Sequence, residues 1–264
     1  MKIFLTGHRG FIGSHMLTAL TSAGHQVICY DWHDTMPISF AESKYDWFIH
    51  IGANSSTVER DVEKIMTMNY DYSVMLYEIA AEMGAGFQYA SSASVYGLES
   101  SFCEDSAVDP RNPYAWTKYL FERYVRKNPR KIVTQGFRYF NVYGPEGEEH
   151  KGRQASPYCQ FKQQAETTGE ILLFEHSENY RRDFIHVSQV VDTHMKFFNV
   201  PESGIWNVGT GSTTSFRDIA ETFNAKIVEI PMPDVLKSNY QEYTCADITK
   251  LQNTLTTYDR RKEI

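Results

Sequence analysis

Lys2-Ile3-Phe4-Leu5-Thr6-Gly7-His8-Arg9-Gly10-Phe11-Ile12-Gly13 opens the chain, and its reading decides the fold. Lys2–Thr6 has the length and apolar content of a buried strand. Gly7 to Gly13 then reads G-x-x-G-x-x-G. Behind it Phe11, Ile12, Met16, Leu17 and Leu20 recur at helical spacing and predict a helix over Phe11–Ala23. A glycine turn between strand and helix lets the backbone approach a pyrophosphate, and the helix N-terminus meets that anion with free N–H groups. Gln26–Asp31 predicts a second strand. It ends on an acid 18 residues past Gly13, where an adenosine ribose hydroxyl would be met. The segment thus predicts a dinucleotide cradle of Gly7, Arg9, Gly10, Phe11, Ile12 and Gly13, with Asp31 on the ribose. Asp31 repels a 2′-phosphate, whereas Arg9 could grip one with its guanidinium fork. NAD and NADP both stay open.

Working outward, strands are predicted at Asp46–Ile51, Phe87–Ser91 and Lys131–Phe140, with helices at Val58–Met83 and Asn112–Lys127 between them. Asn112 reads as a cap, with Pro113 at the first helical position. Strand–helix alternation argues an α/β fold with a doubly wound parallel sheet covered on both faces. Only 14 residues separate Asp31 from Asp46. A further helix–strand–helix insertion needs about 30, so the usual third strand is expected to be missing. Beyond Tyr143 the order loosens. A helix is expected at Ser156–Thr167, strands at Glu170–Phe174, Asp183–Val187 and Ile205–Val208, and a helix at Val190–Phe198. From Pro231 on, the chain reads as a lid that ends soon after Leu251, short of a terminal helix. The expected division is a dinucleotide-binding Rossmann domain of residues 1–144 plus about 184–208, and a smaller substrate-binding lobe of about 145–183 plus 209–264.

Composition narrows the function classes. In 264 residues, 42% are hydrophobic and 22% charged, which suits a folded globular chain. The net charge is −7 and no Lys/Arg block occurs, which argues against nucleic acid as a partner. The uncharged run from Phe11 to Tyr30 is broken by Gly, Ser, Thr, His and Gln, which argues against a membrane span. The N-terminus has no signal-peptide pattern. The four cysteines lie 56 to 86 residues apart, a spacing of neither a metal site nor a disulfide framework. A cytoplasmic protein without a metal is expected.

Tyr114 and Lys118, four apart on the Pro113 helix, project from one face. A phenol is a poor base near neutrality, and an adjacent ammonium favours the phenolate. Ser91-Ser92 closes the preceding strand, at the sheet edge where a nicotinamide would lie. A hydroxyl there can hold the reacting oxygen.

The ordered set GHRGFIG (7–13), HIGANSS (50–56), YASSASVYG (89–97), YAWTK (114–118) and FRYFNVYGP (137–145) resembles the extended short-chain dehydrogenase/reductase family acting on nucleotide sugars. The resemblance implies a Ser92–Tyr114–Lys118 triad. It adds Gly52, Ala53, Asn69, Lys118 and Val142 as cofactor contacts, within a wall formed by Ile51–Ser55, and a tightly bound NADP or NAD. Ala93 stands where a dehydratase would carry an extra acid. It also stands where GDP-fucose synthases carry a cysteine.

The second half, HKGRQAS (150–156), FEHSENYRRDFIHV (174–187), GIWNVGTG (204–211) and PDVLKSNYQEYTCAD (233–247), resembles the ADP-glycero-manno-heptose 6-epimerase branch. That implies Lys151 as a second acid/base. Asn141, Arg153, Gln160, Phe174, Glu175, Ser177, Arg182 and Tyr240, with Ser92, become substrate contacts, Arg182 at the diphosphate. Arg153 and Gln160 depart from that branch, which has Ser and His there. The expected activity is transient oxidation at C6, rotation of the aldehyde and return of hydride to its other face, in a homo-oligomer. The alternatives are a 4-epimerase or epimerase/reductase of the same family, for which Lys151 would be dispensable, or a catalytically silent NAD(P)-binding protein.

Overall fold

Six parallel strands form the central sheet of the computed structural model, in the order β10-β5-β4-β3-β1-β2. They are β1 (Lys2–Thr6), β2 (Gln26–Tyr30), β3 (Trp47–His50), β4 (Gly86–Ser92), β5 (Thr134–Tyr139) and β10 (Gly204–Val208). The structure describes residues 1–32, 34, 43–237 and 240–260, without the side chains of 153, 235, 259 and 260. All four residues of β3 and all six of β5 are buried, as strands covered on both faces must be.

Alternation along the strands sorts the core into two layers. Phe4, Phe48 and Phe87 face α3 (Tyr72–Met83) and α4 (Pro113–Lys127), packing on Leu76, Tyr77 and Phe121. Ile3, Leu5 and Ile49 face α1 (Phe11–Ser22) and α6 (Val187–Phe197), packing on Met16, Leu20 and Val191. The result is the doubly wound parallel sheet that the sequence implies. On its far side β2 pairs with β1 alone among the described residues. The stretch on which a missing third strand was expected lies partly outside the described residues.

Several boundaries differ from expectation. The helix expected from Val58 begins as α2 at Val62 and runs to Met66. Asp61 caps it, its carboxylate accepting from the Lys64 N–H at 3.0 Å, while Glu59 accepts from the N–H groups of Arg60 and Asp61 and turns the chain before it. A π-helical turn, Thr67–Asp71, separates α2 from α3. The strand expected at Asp183–Val187 is the shorter β9 (Phe184–His186), and a further strand, β8 (Arg181–Arg182), precedes it. Between them Asp183, fully buried, accepts from the N–H groups of Thr210, Gly211 and Ala246.

The lobe holds β7 (Glu170–Phe174) paired with β12 (Lys226–Ile230), α5 (Pro157–Thr168) and α7 (Phe216–Glu221) around Phe161, Ile171, Leu173 and Ile219. Two expectations for the last segment are corrected. A terminal helix exists, α9 (Thr249–Arg260). It belongs with the sheet rather than the lobe, because Leu251, Leu255 and Tyr258 pack on Phe197, Trp206 and Val208, and the Trp206 indole donates to Thr254 at 3.0 Å. Among the described residues no helix is long and apolar enough to cross a membrane.

Candidate active site

The turn after β1 can be built only from glycine. Gly7 has φ +77°, and a Cβ there would lie 2.5 Å from the Gly52 nitrogen. A Cβ on Gly13 would lie 1.9 Å from the Gly7 carbonyl oxygen. Gly10 is the N-cap of α1 and brings no side-chain cap, and the first turn carries no acid. The leading N–H groups of α1 therefore remain available to an anion. The Nδ1 atom of His8, in the same turn, is buried with no hydrogen-bond partner. A cleft of about 340 Å³ starts here, walled by Gly7, Arg9, Gly10, Phe11, Ile12, Gly13, Asp31, Gly52 and Ala53. With Lys118 at its deep end, ten of the expected cofactor contacts thus meet in one place, and their chemistry fits a dinucleotide: uncapped amides for the diphosphate, a carboxylate for ribose hydroxyls.

Asn69 and Val142 stand apart from that lining. The Asn69 side chain accepts from the Asn54 N–H at 2.7 Å and donates to the Asn54 carbonyl and to Thr117 Oγ1. It ties the cleft wall to α4 from behind, from within the π-helical turn. Such turns recur at functional sites. Val142, on β6 (Asn141–Tyr143), packs into the core.

Tyr114 and Lys118 line the deep end of the same cleft. The Asn112 side chain caps α4 at 2.9 Å from the Ala115 N–H, and Pro113 occupies the first turn. Burial pushes the Tyr114 phenol up, and a hydrogen bond with Ser92 draws it back down. Lys118 is 6% exposed and donates to the Ala90 carbonyl at 2.9 Å, with its Nζ 5.8 Å from the Tyr114 ring centre. Burial lowers its pKa to about 8, against the pull of Glu122. The two serines of β4 separate by strand alternation. Ser92 meets Tyr114. Ser91 donates to buried Glu122, which also takes a bidentate pair from Arg138.

Lys151 enters from a different element, the short 3-10 segment Glu149–Gln154, and lines the cleft with Tyr114. Its Nζ sits 4.6 Å from the Phe11 ring centre and 3.6 Å from Glu148. Glu148 is 1% exposed and is fixed by the N–H and hydroxyl of Ser156, at 2.9 and 2.7 Å. Burial pushes the Lys151 ammonium down in pKa, and Glu148 opposes this.

A second pocket, of about 220 Å³, lies in the lobe. Gln160, Phe174, Ser177 and Tyr240 line it. The Ser177 hydroxyl is buried without a partner. Arg182 is buried with its guanidinium 5.5 Å from the Tyr240 ring centre and 5.6 Å from Phe216. Asn141 donates to the Asp183 carbonyl at 3.2 Å, and Glu175 is exposed. Neither lines this pocket. The backbone of Arg153 lies in the 3-10 segment; its side chain is outside the described residues.

Sequence reasoning missed Tyr139 and His150, which also line the cleft, and Glu148 and Asp34, which grip Lys151 and Arg9. Tyr139 and His150 lie inside the quoted motifs without standing out there, while Glu148 and Asp34 lie outside them. Only the folded chain sets a carboxylate beside each cation. Two histidines outside the cleft have structural partners: His194 is buried against Tyr139 and Gln88, and His186 caps α6.

The family model described as the NAD dependent epimerase/dehydratase family matches residues 3–209. The chain is 38% identical to the ADP-L-glycero-D-manno-heptose-6-epimerase of Brachyspira hyodysenteriae, over 95% of this chain and 90% of that one. Its structure is similar to that of the Helicobacter pylori ADP-L-glycero-D-manno-heptose-6-epimerase, with a TM-score of 0.86 at 27% identity, covering 97% of this chain and 90% of that one. It shares its fold with the UDP-glucose 4-epimerase of Thermotoga maritima, with a TM-score of 0.85 at 22% identity over the whole of both chains.

Proposed function

The chain belongs to the NAD dependent epimerase/dehydratase family, and from that premise we propose that it epimerises an ADP-glycero-manno-heptose at C6. The observation that carries the reading is the meeting of two proton-transfer groups, Tyr114 and Lys151, in one cleft from separate elements. The named relative at 38% identity supports the choice of sugar.

A nicotinamide dinucleotide, when bound, supplies a hydride acceptor and returns the hydride. The amides at the start of α1 hold its diphosphate, and Asp31 takes ribose hydroxyls. Tyr114 removes the proton from the C6 hydroxyl, while Ser92 hydrogen-bonds the same oxygen. Lys118 keeps a positive charge beside the phenolate. Rotation about C5–C6 then turns the aldehyde over and carries its oxygen away from Tyr114. A general acid must stand within about 2.6–3.2 Å of the atom it serves, so one group cannot serve both positions. Lys151, held as an ammonium by Glu148, protonates the oxygen in its second position. The turnover leaves Tyr114 protonated and Lys151 neutral, and exchange with water resets both.

The lobe pocket takes the nucleotide end of the substrate. Gln160, Phe174 and Tyr240 wall it, the unpartnered Ser177 hydroxyl offers a hydrogen bond, and Arg182, packed on the pocket residues Tyr240 and Phe216, supplies the charge for the diphosphate. The exposed Met75 on α3 and Trp116 on α4 suit a homo-oligomer interface. The four free thiols suit a reducing compartment, and we place the enzyme in the cytoplasm.

The test is incubation with ADP-D-glycero-D-manno-heptose, with the C6 configuration read by proton NMR. Conversion to the L-glycero epimer is expected, with no deuterium on carbon in heavy water. Intact substrate would sink the assignment, and carbon-bound deuterium would sink direct hydride return.

A further inference from the structure

We propose that this chain selects NAD over NADP, and that Asp34 is the residue that decides it, by engaging Arg9, the one Lys or Arg of the glycine turn. The proposal rests on the dinucleotide reading of the cradle and is independent of the sugar.

Between residues 7 and 13 of the cradle, and across residues 31–43 after the second strand, Arg9 is the sole Lys or Arg in the sequence. Within these two segments a phosphate on the adenosine 2′ oxygen would find its counter-charge at Arg9 alone. The structure gives that guanidinium another partner: Arg9 donates to the Asp34 carboxylate at 2.7 Å. Asp34 is itself anchored. Its second carboxylate oxygen accepts from the Asp31 N–H at 2.7 Å, and its own N–H donates to the Asp31 carbonyl at 2.8 Å. The turn that ends the second strand thus aims Asp34 at Arg9 through main-chain bonds. Arg9 and Asp31 both line the cleft. At the adenosine ribose the chain offers one guanidinium and two carboxylates, a net negative charge. A ribose hydroxyl suits that set, because it can donate to a carboxylate. A phosphate dianion must break the Arg9–Asp34 bond and then remain beside both acids.

The Arg9 side chain is 57% exposed and that of Asp34 is 27% exposed. The pair is wet, so the discrimination expected is finite: about tenfold to a hundredfold in affinity, the range of one charge-assisted hydrogen bond. The first measurement is the nucleotide released on denaturing the purified protein. NAD or NADH is expected, and NADP or NADPH as the main species would overturn the proposal. The second is titration of nucleotide-free protein with NAD+ and with NADP+ at pH 8. Wild type should favour NAD+ by at least about tenfold. Asp34→Ala should tighten NADP+ by about tenfold, and adding Arg9→Ala should abolish that gain. An unchanged NADP+ affinity in Asp34→Ala, or a gain that survives loss of Arg9, would overturn it. Should Asp34→Ala lose NAD+ affinity as well, Asp34→Asn decides, since it keeps the turn and removes the charge. No sugar enters either assay, so failure to epimerise ADP-heptose and failure of this proposal remain distinguishable.

Discussion

Replacing Lys118 by Met is expected to stabilise the fold while abolishing the chemistry. The Lys118 ammonium is buried with one hydrogen bond, to the Ala90 carbonyl. Burial brings its pKa from 10.5 to about 8. At 1.36 kcal/mol per pH unit, that gap corresponds to about 3 kcal/mol of folding stability lost to the buried charge. The sign follows from proton binding. Between pH 8 and 10.5 the unfolded chain binds the extra proton and the folded chain does not, so stability rises with pH across that window. The full penalty applies below pH 8 and vanishes above 10.5. Met keeps the length and apolar stem. Its cost is the unmet Ala90 carbonyl, about 1 kcal/mol. The net gain near pH 7 is about 2 kcal/mol, or about 4–8 °C in Tm for a chain of this size. Urea denaturation of wild type and Lys118→Met, both stripped of nucleotide, measures it at pH 7, 8.5 and 10. The advantage of the variant should shrink step by step and invert near pH 10. A variant less stable than wild type at pH 7, or a difference independent of pH, would refute the argument that burial of this charge strains the site.

Gly13→Ala puts a Cβ against the Gly7 carbonyl oxygen; about 1–3 kcal/mol of stability should be lost together with the bound nucleotide, read by urea denaturation and by nucleotide content. Arg138→Met leaves Glu122 buried without its bidentate partner and should cost about 3–5 kcal/mol in urea, most of it recovered by adding Glu122→Gln. Lys151→Ala should slow epimerisation by about 10²–10⁴-fold, while a single turnover still reduces the nicotinamide through Tyr114; an unchanged steady-state rate would exclude Lys151 as the second acid.

The parts that could be read in the sequence share one property: their physics is local. A glycine turn needs glycine at fixed positions, as the contacts of Gly7 and Gly13 show. A helix start needs its cap, and Asn112-Pro113 announces α4 to the residue. Tyr114 and Lys118 share a face because helical pitch puts them there. Where the reading went astray, a distant or competing contact decided. The run from Val58 has helical content, yet Glu59 and Asp61 take the backbone N–H groups and delay the helix to Val62. The last helix went unforeseen because it is amphipathic against a surface formed by β10 and α6, far earlier in the chain.

The sequence alone determined the sheet type, the glycine turn after the first strand and the shared helix face of Tyr114 and Lys118, since each follows from spacing within a single turn, strand or helix, whereas Lys151 was singled out by the family resemblance. Tertiary structure decided which groups surround them. It set Glu148 beside Lys151, Asp34 beside Arg9 and Ser92 rather than Ser91 beside Tyr114. Charge and proton affinity depend on neighbours in space within a few ångströms, and no one-dimensional spacing records those distances. The chemistry available to this chain is written in local motifs, while its tuning belongs to the folded packing that surrounds them.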